Sequence, residues 1–202
     1  QYDRAIEDYN RVINVYLHRY DQEEKSRKTI GNELARSSFG VAGSLTSAYS
    51  DRGKVYENKG MYDKAIVEFK NAIAIAPQVY IGYSGLGTIF YKKGQYDMAI
   101  ESFTKAIAMY TLDASTYFYR ARAYEEKGQF DKSIEDYNRT IELDPTSARA
   151  TLAYAGRGNC FAMMGKNDRA IEEFSKALSV NKKDNEFNKT LFNMRGIVYD
   201  LV

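Results

Sequence analysis

The chain has 202 residues, 44% hydrophobic and 28% charged, with 14 glycines and 2 prolines, which is the balance of a folded chain and not of a linker or disordered tail. Its formal net charge of +2 gives neither the basic footprint of a nucleic-acid binder nor an acidic tail. One cysteine and one histidine exclude an internal disulfide framework, a thiolate-rich metal site and a His-based triad, and no stretch approaches the roughly 18 consecutive apolar residues of a membrane span.

Taken in order, the chain opens Gln1-Tyr2-Asp3-Arg4-Ala5-Ile6, with no Met and no signal-like segment. This reads as the middle of a repeating unit, so the chain reads as a fragment whose targeting signals would lie elsewhere. Residues 1–19 are expected to form the second helix of a cut repeat. Residues 20–45 are an insertion without proline, in which Leu34, Val41, Ala42 and Leu45 recur at helical spacing, as do Tyr9, Ile13, Tyr16 and Tyr20 before them. The pattern predicts a lengthened hairpin: the opening helix continues to about Arg27, turns near Gly31, and a second helix runs from about Asn32 to residue 59. The alternative is a flexible insert, because Gln22 to Lys28 is highly charged.

From residue 46 onward the chain repeats itself. Lys59-Gly60-Met61-Tyr62-Asp63-Lys64-Ala65-Ile66 returns as Lys93-Gly94-Gln95-Tyr96-Asp97-Met98-Ala99-Ile100, then from Lys127 to Ile134, and more loosely from Met164 to Ile171. The glycines Gly60, Gly94, Gly128 and Gly165 follow at intervals of 34, 34 and 37 residues. Full repeats fall at 46–79, 80–113, 114–147 and 151–184, and residues 189–202 give a first helix alone. Short insertions at 148–150 and 185–188 read as an extra helical turn or a longer loop.

Within each repeat the fourth place holds Tyr49, Tyr83, Tyr117 and Tyr154, and the eighth is small: Gly53, Gly87, Ala121 and Gly158. The second half carries Ala65, Ala99, Ser133 and Ala170, each followed four residues later by Phe69, Phe103, Tyr137 and Phe174. Small residues let two helix backbones approach, and the rings fill the space beside that contact. Each buried ring contributes roughly 1.5–3 kcal/mol. The repeated glycines stand where a helix ends in a left-handed residue, and Asp63, Asp97, Asp131 and Asp168 stand at the next helix start, where the dipole favours negative charge.

On these residues the sequence resembles the tetratricopeptide-repeat family over nearly its whole length; Thr111 and Lys182 depart from it at the terminal proline. The resemblance implies an all-α, right-handed superhelical solenoid of antiparallel helix pairs, and a non-catalytic scaffold that binds a peptide or helix of a partner protein in a concave groove. The alternatives are self-assembly through the repeat ends or a regulatory arm of a larger protein. In the family the groove is lined mainly by the second, fifth, ninth, twelfth and thirteenth places of each first helix. Carried onto this chain, those places give Lys54 in the first full repeat and Ile81, Ser84, Thr88, Tyr91 and Lys92 in the second. The third gives Phe118, Arg122 and Glu125, and the fourth Leu152, Asn159 and Met163. Unlike the packing places, these vary from repeat to repeat, as recognition allows and packing does not. Chaperone-binding members hold a C-terminal carboxylate with Lys and Asn at fixed groove places. Here the fifth place reads Ser50, Ser84, Phe118, Ala155 and Asn193, so a chaperone tail is disfavoured as the ligand.

No enzyme is expected and no cofactor or metal is implied. Cys160 shares its place with Val55, Ile89 and Ala123, so it reads as a packed thiol. His18 reads as a surface or partly packed imidazole. The acids recur with the repeat and read as solvated helix faces. Gly82-Tyr83-Ser84-Gly85-Leu86-Gly87 falls inside a helix in this register and not after a strand, which discounts a phosphate loop. With 18 Tyr and 10 Phe mostly at recurring packing places and the charge near zero, nucleic-acid binding is not expected.

Overall fold

The computed structural model describes residues 1–30, 35–181 and 186–199. Among the described residues all regular structure is helical: α1 (Tyr2–Ile30), α2 (Ala35–Asn58), α3 (Tyr62–Ile75), α4 (Tyr80–Lys92), α5 (Tyr96–Met109), α6 (Ala114–Glu126), α7 (Phe130–Leu143), α8 (Ala148–Met163), α9 (Asn167–Val180) and α10 (Glu186–Tyr199). Residues 20–30 lie in α1 and 35–45 in α2; the turn expected near Gly31 lies outside the described residues. Residues 148–150 form the first turn of α8. None of these helices is long and apolar enough to cross a membrane.

The punctuation between helices is backbone chemistry. Gly60, Gly94, Gly128 and Gly165 have φ of 72°, 72°, 68° and 70°, the left-handed conformation that a side chain resists. Met61 N–H then donates back to Tyr56 O, and Gln129 and Lys166 do the same to Tyr124 and Phe161, closing the helix ends. The recurring Asp sits in the first turn of α3, α5, α7 and α9 without capping a backbone N–H. Instead Asp3, Asp63 and Asp97 each take the ammonium of Lys59, Lys93 and Lys127 respectively. Side-chain capping occurs elsewhere, from Asp113 to Ser115 N–H and from Ser147 to Ala150 N–H.

The chain forms two compact units, residues 1–94 and 95–202. In the first, consecutive helices pack on one another and the core joins Ile13 of α1, Leu45, Ala48 and Tyr49 of α2 and Ala72 of α3. Glycine on α4 allows close approach to α3: a Cβ at Gly85 would lie 2.3 Å from the Phe69 ring. The glycine-rich stretch 82–87 is therefore helix-packing surface.

The second unit, α5 to α10, includes two core clusters among the described residues. One gathers Phe118, Ala121, Tyr137, Ala153 and Cys160; the other gathers Ala155, Ala170, Phe174, Ala177, Leu191 and Val198. Cys160 is fully buried, its thiol donates to Ser133 Oγ at 3.5 Å, and burial pushes its pKa up to about 12. His18 is exposed and within hydrogen-bonding distance of Gln22.

One sequence expectation is overturned here. Not all the recurring acids face water: Glu68, Asp136 and Glu173 are buried. Each sits 16 residues after an arginine that neutralises it. Arg52 reaches Glu68 at 2.7 Å, Arg120 grips both oxygens of Asp136 at 2.7 and 2.8 Å, and Arg157 reaches Glu173 at 2.7 Å. The other guanidinium nitrogen, Nη1, turns to the preceding second helix and donates to Asn10, Thr104 or Asn138. The same arginines lie over the rings of Tyr49, Tyr117 and Tyr154 one turn earlier. Each guanidinium thus ties three helices together.

Candidate functional site

A first helix beside the first helix of the next repeat makes a two-helix face, and each unit has one such pair: α2 with α4, and α6 with α8. The expected groove residues distribute over these two faces.

On α2 and α4, Lys54 is exposed and pairs with Asp51 one turn earlier at 3.2 Å. Lys92 reaches across from α4 to Glu57 of α2 at 2.8 Å, which fixes the two helices side by side. Ile81, Ser84, Thr88 and Tyr91 are half-buried along α4, and the Thr88 hydroxyl donates to Ser84 O.

On α6 and α8 the outcome is divided. Phe118 was expected to line the groove and does not: it is 6% exposed, edge-on to Tyr119 at 5.5 Å and tilted against Tyr137 at 5.9 Å. Ser50 and Ala155 at the same place are buried too, whereas Ser84 is half-buried and Asn193 exposed. Arg122, Glu125 and Asn159, by contrast, come together. The half-buried Glu125 carboxylate accepts the Tyr137 hydroxyl at 2.6 Å and the Asn159 side chain, with Arg122 adding positive charge. Arg122 itself is exposed. On α8, Leu152 and Met163 stand out at 42% and 71% exposure. Leu152 also borders an open cleft of about 790 Å³ that Pro145, Val180 and Phe187 line.

Sequence reasoning gave Tyr137 a packing role only. The structure makes it also the group that holds Glu125, and its ring is buried while its hydroxyl reaches the face. The arginine–acid pairs were missed as well. Their signal is visible within the sequence, because Arg is matched by an acid in three full repeats, whereas the repeat 80–113 has Leu86 and Ser102 at the two places.

Burial raises the Glu125 carboxyl above its ordinary 4.5, and the hydrogen bonds from Tyr137 and Asn159 offset only part of that shift. The folded chain therefore binds this proton more tightly than the unfolded chain. The group favours folding below pH 4.5, and that advantage is lost as pH rises through the raised value. Glu125→Gln keeps an oxygen for Tyr137 and cannot ionise. Its thermal midpoint is expected to fall less than that of the wild type between pH 4.5 and neutrality; parallel curves would show that Glu125 titrates as in water.

Among the described residues no group of three or more His, Cys, Asp or Glu side chains could hold a metal ion. Models of the tetratricopeptide repeat match residues 46–79, 84–148 and 152–184, together more than half of the chain. No curated protein sequence matches it. Among solved structures, MamA is 25% identical, with a TM-score of 0.65 over 89% of this chain and 92% of that one. BtubC from P. vanneervenii has a TM-score of 0.74 at 18% identity, over 99% of this chain and 84% of that one. YrrB, described as a TPR protein with an unusual peptide-binding site, has a TM-score of 0.63 at 20% identity, over 100% and 98%. The recurring rings, the left-handed glycines, the packed helix pairs and these matches agree, and the chain belongs to the tetratricopeptide repeat family.

Proposed function

We propose that the chain is a non-catalytic binding scaffold whose first-helix faces hold a segment of a partner protein. Tetratricopeptide repeats are in general protein–protein interaction modules, and peptide binding on this fold has a precedent in YrrB. The observation that carries the reading is the α6–α8 pair, in which α8 presents the large apolar side chains Leu152 and Met163 to solvent while Arg122 of α6 is exposed and Glu125 of α6 meets Asn159 of α8. Apolar anchors next to a directed charge suit an amphipathic segment that covers Met163 and brings a carboxylate to Arg122. A chaperone tail fits poorly, because the fifth places that would supply the carboxylate clamp hold no Lys, and three of them, Ser50, Phe118 and Ala155, are buried.

The test pairs the wild-type chain with the double variant Arg122→Glu/Met163→Glu as baits in lysate from the source cells. Both residues are exposed, so circular dichroism should be unchanged. A partner held by the wild type and lost by the variant is the expected result. A partner held equally by both would place recognition elsewhere.

A further inference from the structure

The lysine–aspartate pairs recur from repeat to repeat, and one place departs from them. Lys59, Lys93 and Lys127 each stand immediately before the left-handed glycine that follows a first helix. Each ammonium reaches the Asp in the first turn of the preceding second helix: Asp3, Asp63 and Asp97. The three lysine side chains are laid against the surface, only 19%, 30% and 28% exposed, whereas the three carboxylates remain 88%, 90% and 82% exposed. The stem is covered in each pair, and the charge is paired at the edge of the helix.

Before Gly165 the residue is Met164, and the acid that a lysine there would meet is Asp131, in the first turn of α7. Met164 is half-buried, so it supplies an apolar stem but no ammonium. Asp131 is exposed and has no cation partner among the described residues. Both border an open cleft of about 350 Å³, together with Phe130 and Lys132. Lys132 lines the cleft with its ammonium engaged elsewhere: Nζ donates to Gln129 at 3.2 Å and lies 5.5 Å from the centre of the Tyr124 ring. Its equivalent in α3, Lys64, lies over Tyr56 in the same way at 5.6 Å while the adjacent Asp63 pairs with Lys93. A lysine at this neighbouring place therefore does not keep a second ammonium away from the acid.

We propose that this cleft receives a lysine side chain of a partner protein, with its stem on Phe130 and Met164 and its ammonium on the Asp131 carboxylate. The chain itself supplies that group at the equivalent place in three other positions, as Lys59, Lys93 and Lys127. A thioether and a ring offer the apolar surface along which a lysine stem packs, and the carboxylate adds a charge-assisted hydrogen bond to its head. All the residues involved lie within the full repeats 114–147 and 151–184. The proposal is independent of the reading of the first-helix faces, because its variants leave Arg122 and Met163 in place.

The test uses Nα-acetyl-lysine N-methylamide as the probe, titrated into the 202-residue chain and followed by amide chemical shifts. Perturbation is expected at residues 128–131 and not at Asp97, whose place Lys127 already fills. The uncharged norleucine counterpart should bind about fivefold more weakly, the factor that an exposed ion pair supplies at its best. Met164→Lys places an ammonium at the cleft from within, as the other lysines do, and Asp131→Asn removes the charge. Each should weaken the lysine probe by about the same fivefold while circular dichroism is unchanged. Equal binding of the probe by the wild type and Met164→Lys would overturn the proposal. So would equal binding of the lysine and norleucine probes by the wild type, or perturbation centred on acids other than Asp131.

Discussion

Replacing Arg120 with alanine is expected to cost about 3–5 kcal/mol, the range for breaking a buried ion pair by removing one partner. Asp136 is 5% exposed and both of its oxygens are held by Arg120, so the substitution leaves a carboxylate in the interior with neither water nor counter-ion. The loss includes a hydrogen bond to Thr104 and the stacking of the guanidinium on Tyr117 and Tyr124. The paired substitution Arg120→Leu/Asp136→Ser installs the residues that the repeat 80–113 carries naturally as Leu86 and Ser102, and should recover most of the loss. Urea unfolding followed by circular dichroism measures both. If the single substitution were nearly neutral, or the double variant no better than the single, the acid would not depend on its arginine.

Gly156→Ala should be the second most damaging change, although alanine is the better helix former by up to about 1 kcal/mol. The added Cβ would lie 2.4 Å from Cζ and 2.5 Å from Oη of Tyr137, a ring that is 1% exposed and whose hydroxyl is engaged by Glu125. The ring has no free space to retreat into, and overpacking of this kind costs roughly 1–3 kcal/mol. A net loss near 2 kcal/mol is therefore expected. Gly196→Ala provides the contrast: with open space around its Cβ, it should gain about 0.5–1 kcal/mol. Opposite signs for the same substitution at two helical glycines in one chain would confirm that contact, and not helix propensity, decides the outcome. A gain at Gly156 would mean that the Tyr137 ring moves aside readily.

The fold was legible because its determinants recur. A ring at Phe69, Phe103, Tyr137 and Phe174 and a left-handed glycine after the first helix are imposed by the same local geometry in each of the four full repeats, so one chain samples each requirement several times. The buried acids were misread for a related reason. Recurrence alone does not separate a solvated acid from a buried one, and what buries Glu68, Asp136 and Glu173 is an arginine 16 residues away on another helix. Only the joint change to Leu86 and Ser102 in one repeat betrays that dependence in the sequence.

The candidate site was legible in part. Arg122, Glu125 and Asn159 do converge, because the ninth and twelfth places of neighbouring first helices face one another. Phe118 was misplaced because the fifth place here is enclosed by its neighbours, and a large ring at that place packs against Tyr119 and Tyr137. Side-chain volume at a facing position cannot be inferred from spacing along one helix. It depends on how closely the next helix approaches, which small residues such as Ala153 and Gly156 set from the other side.

The forked arginines also bear on how such an array changes length. In each fork the charged partner, Glu68, Asp136 or Glu173, belongs to the same repeat as its arginine, while the neighbouring repeat supplies only a neutral acceptor: Asn10, Thr104, Asn138 or Ser175. A repeat that is lost or duplicated as a whole therefore carries its own counter-ion with it and strands no charge in the interior of the repeats that remain. What the arginine asks of the neighbouring repeat is only a small polar side chain at one place on the earlier helix. Asn, Thr and Ser all meet that demand, so the fork itself calls for no compensating mutation when a whole repeat is gained or deleted.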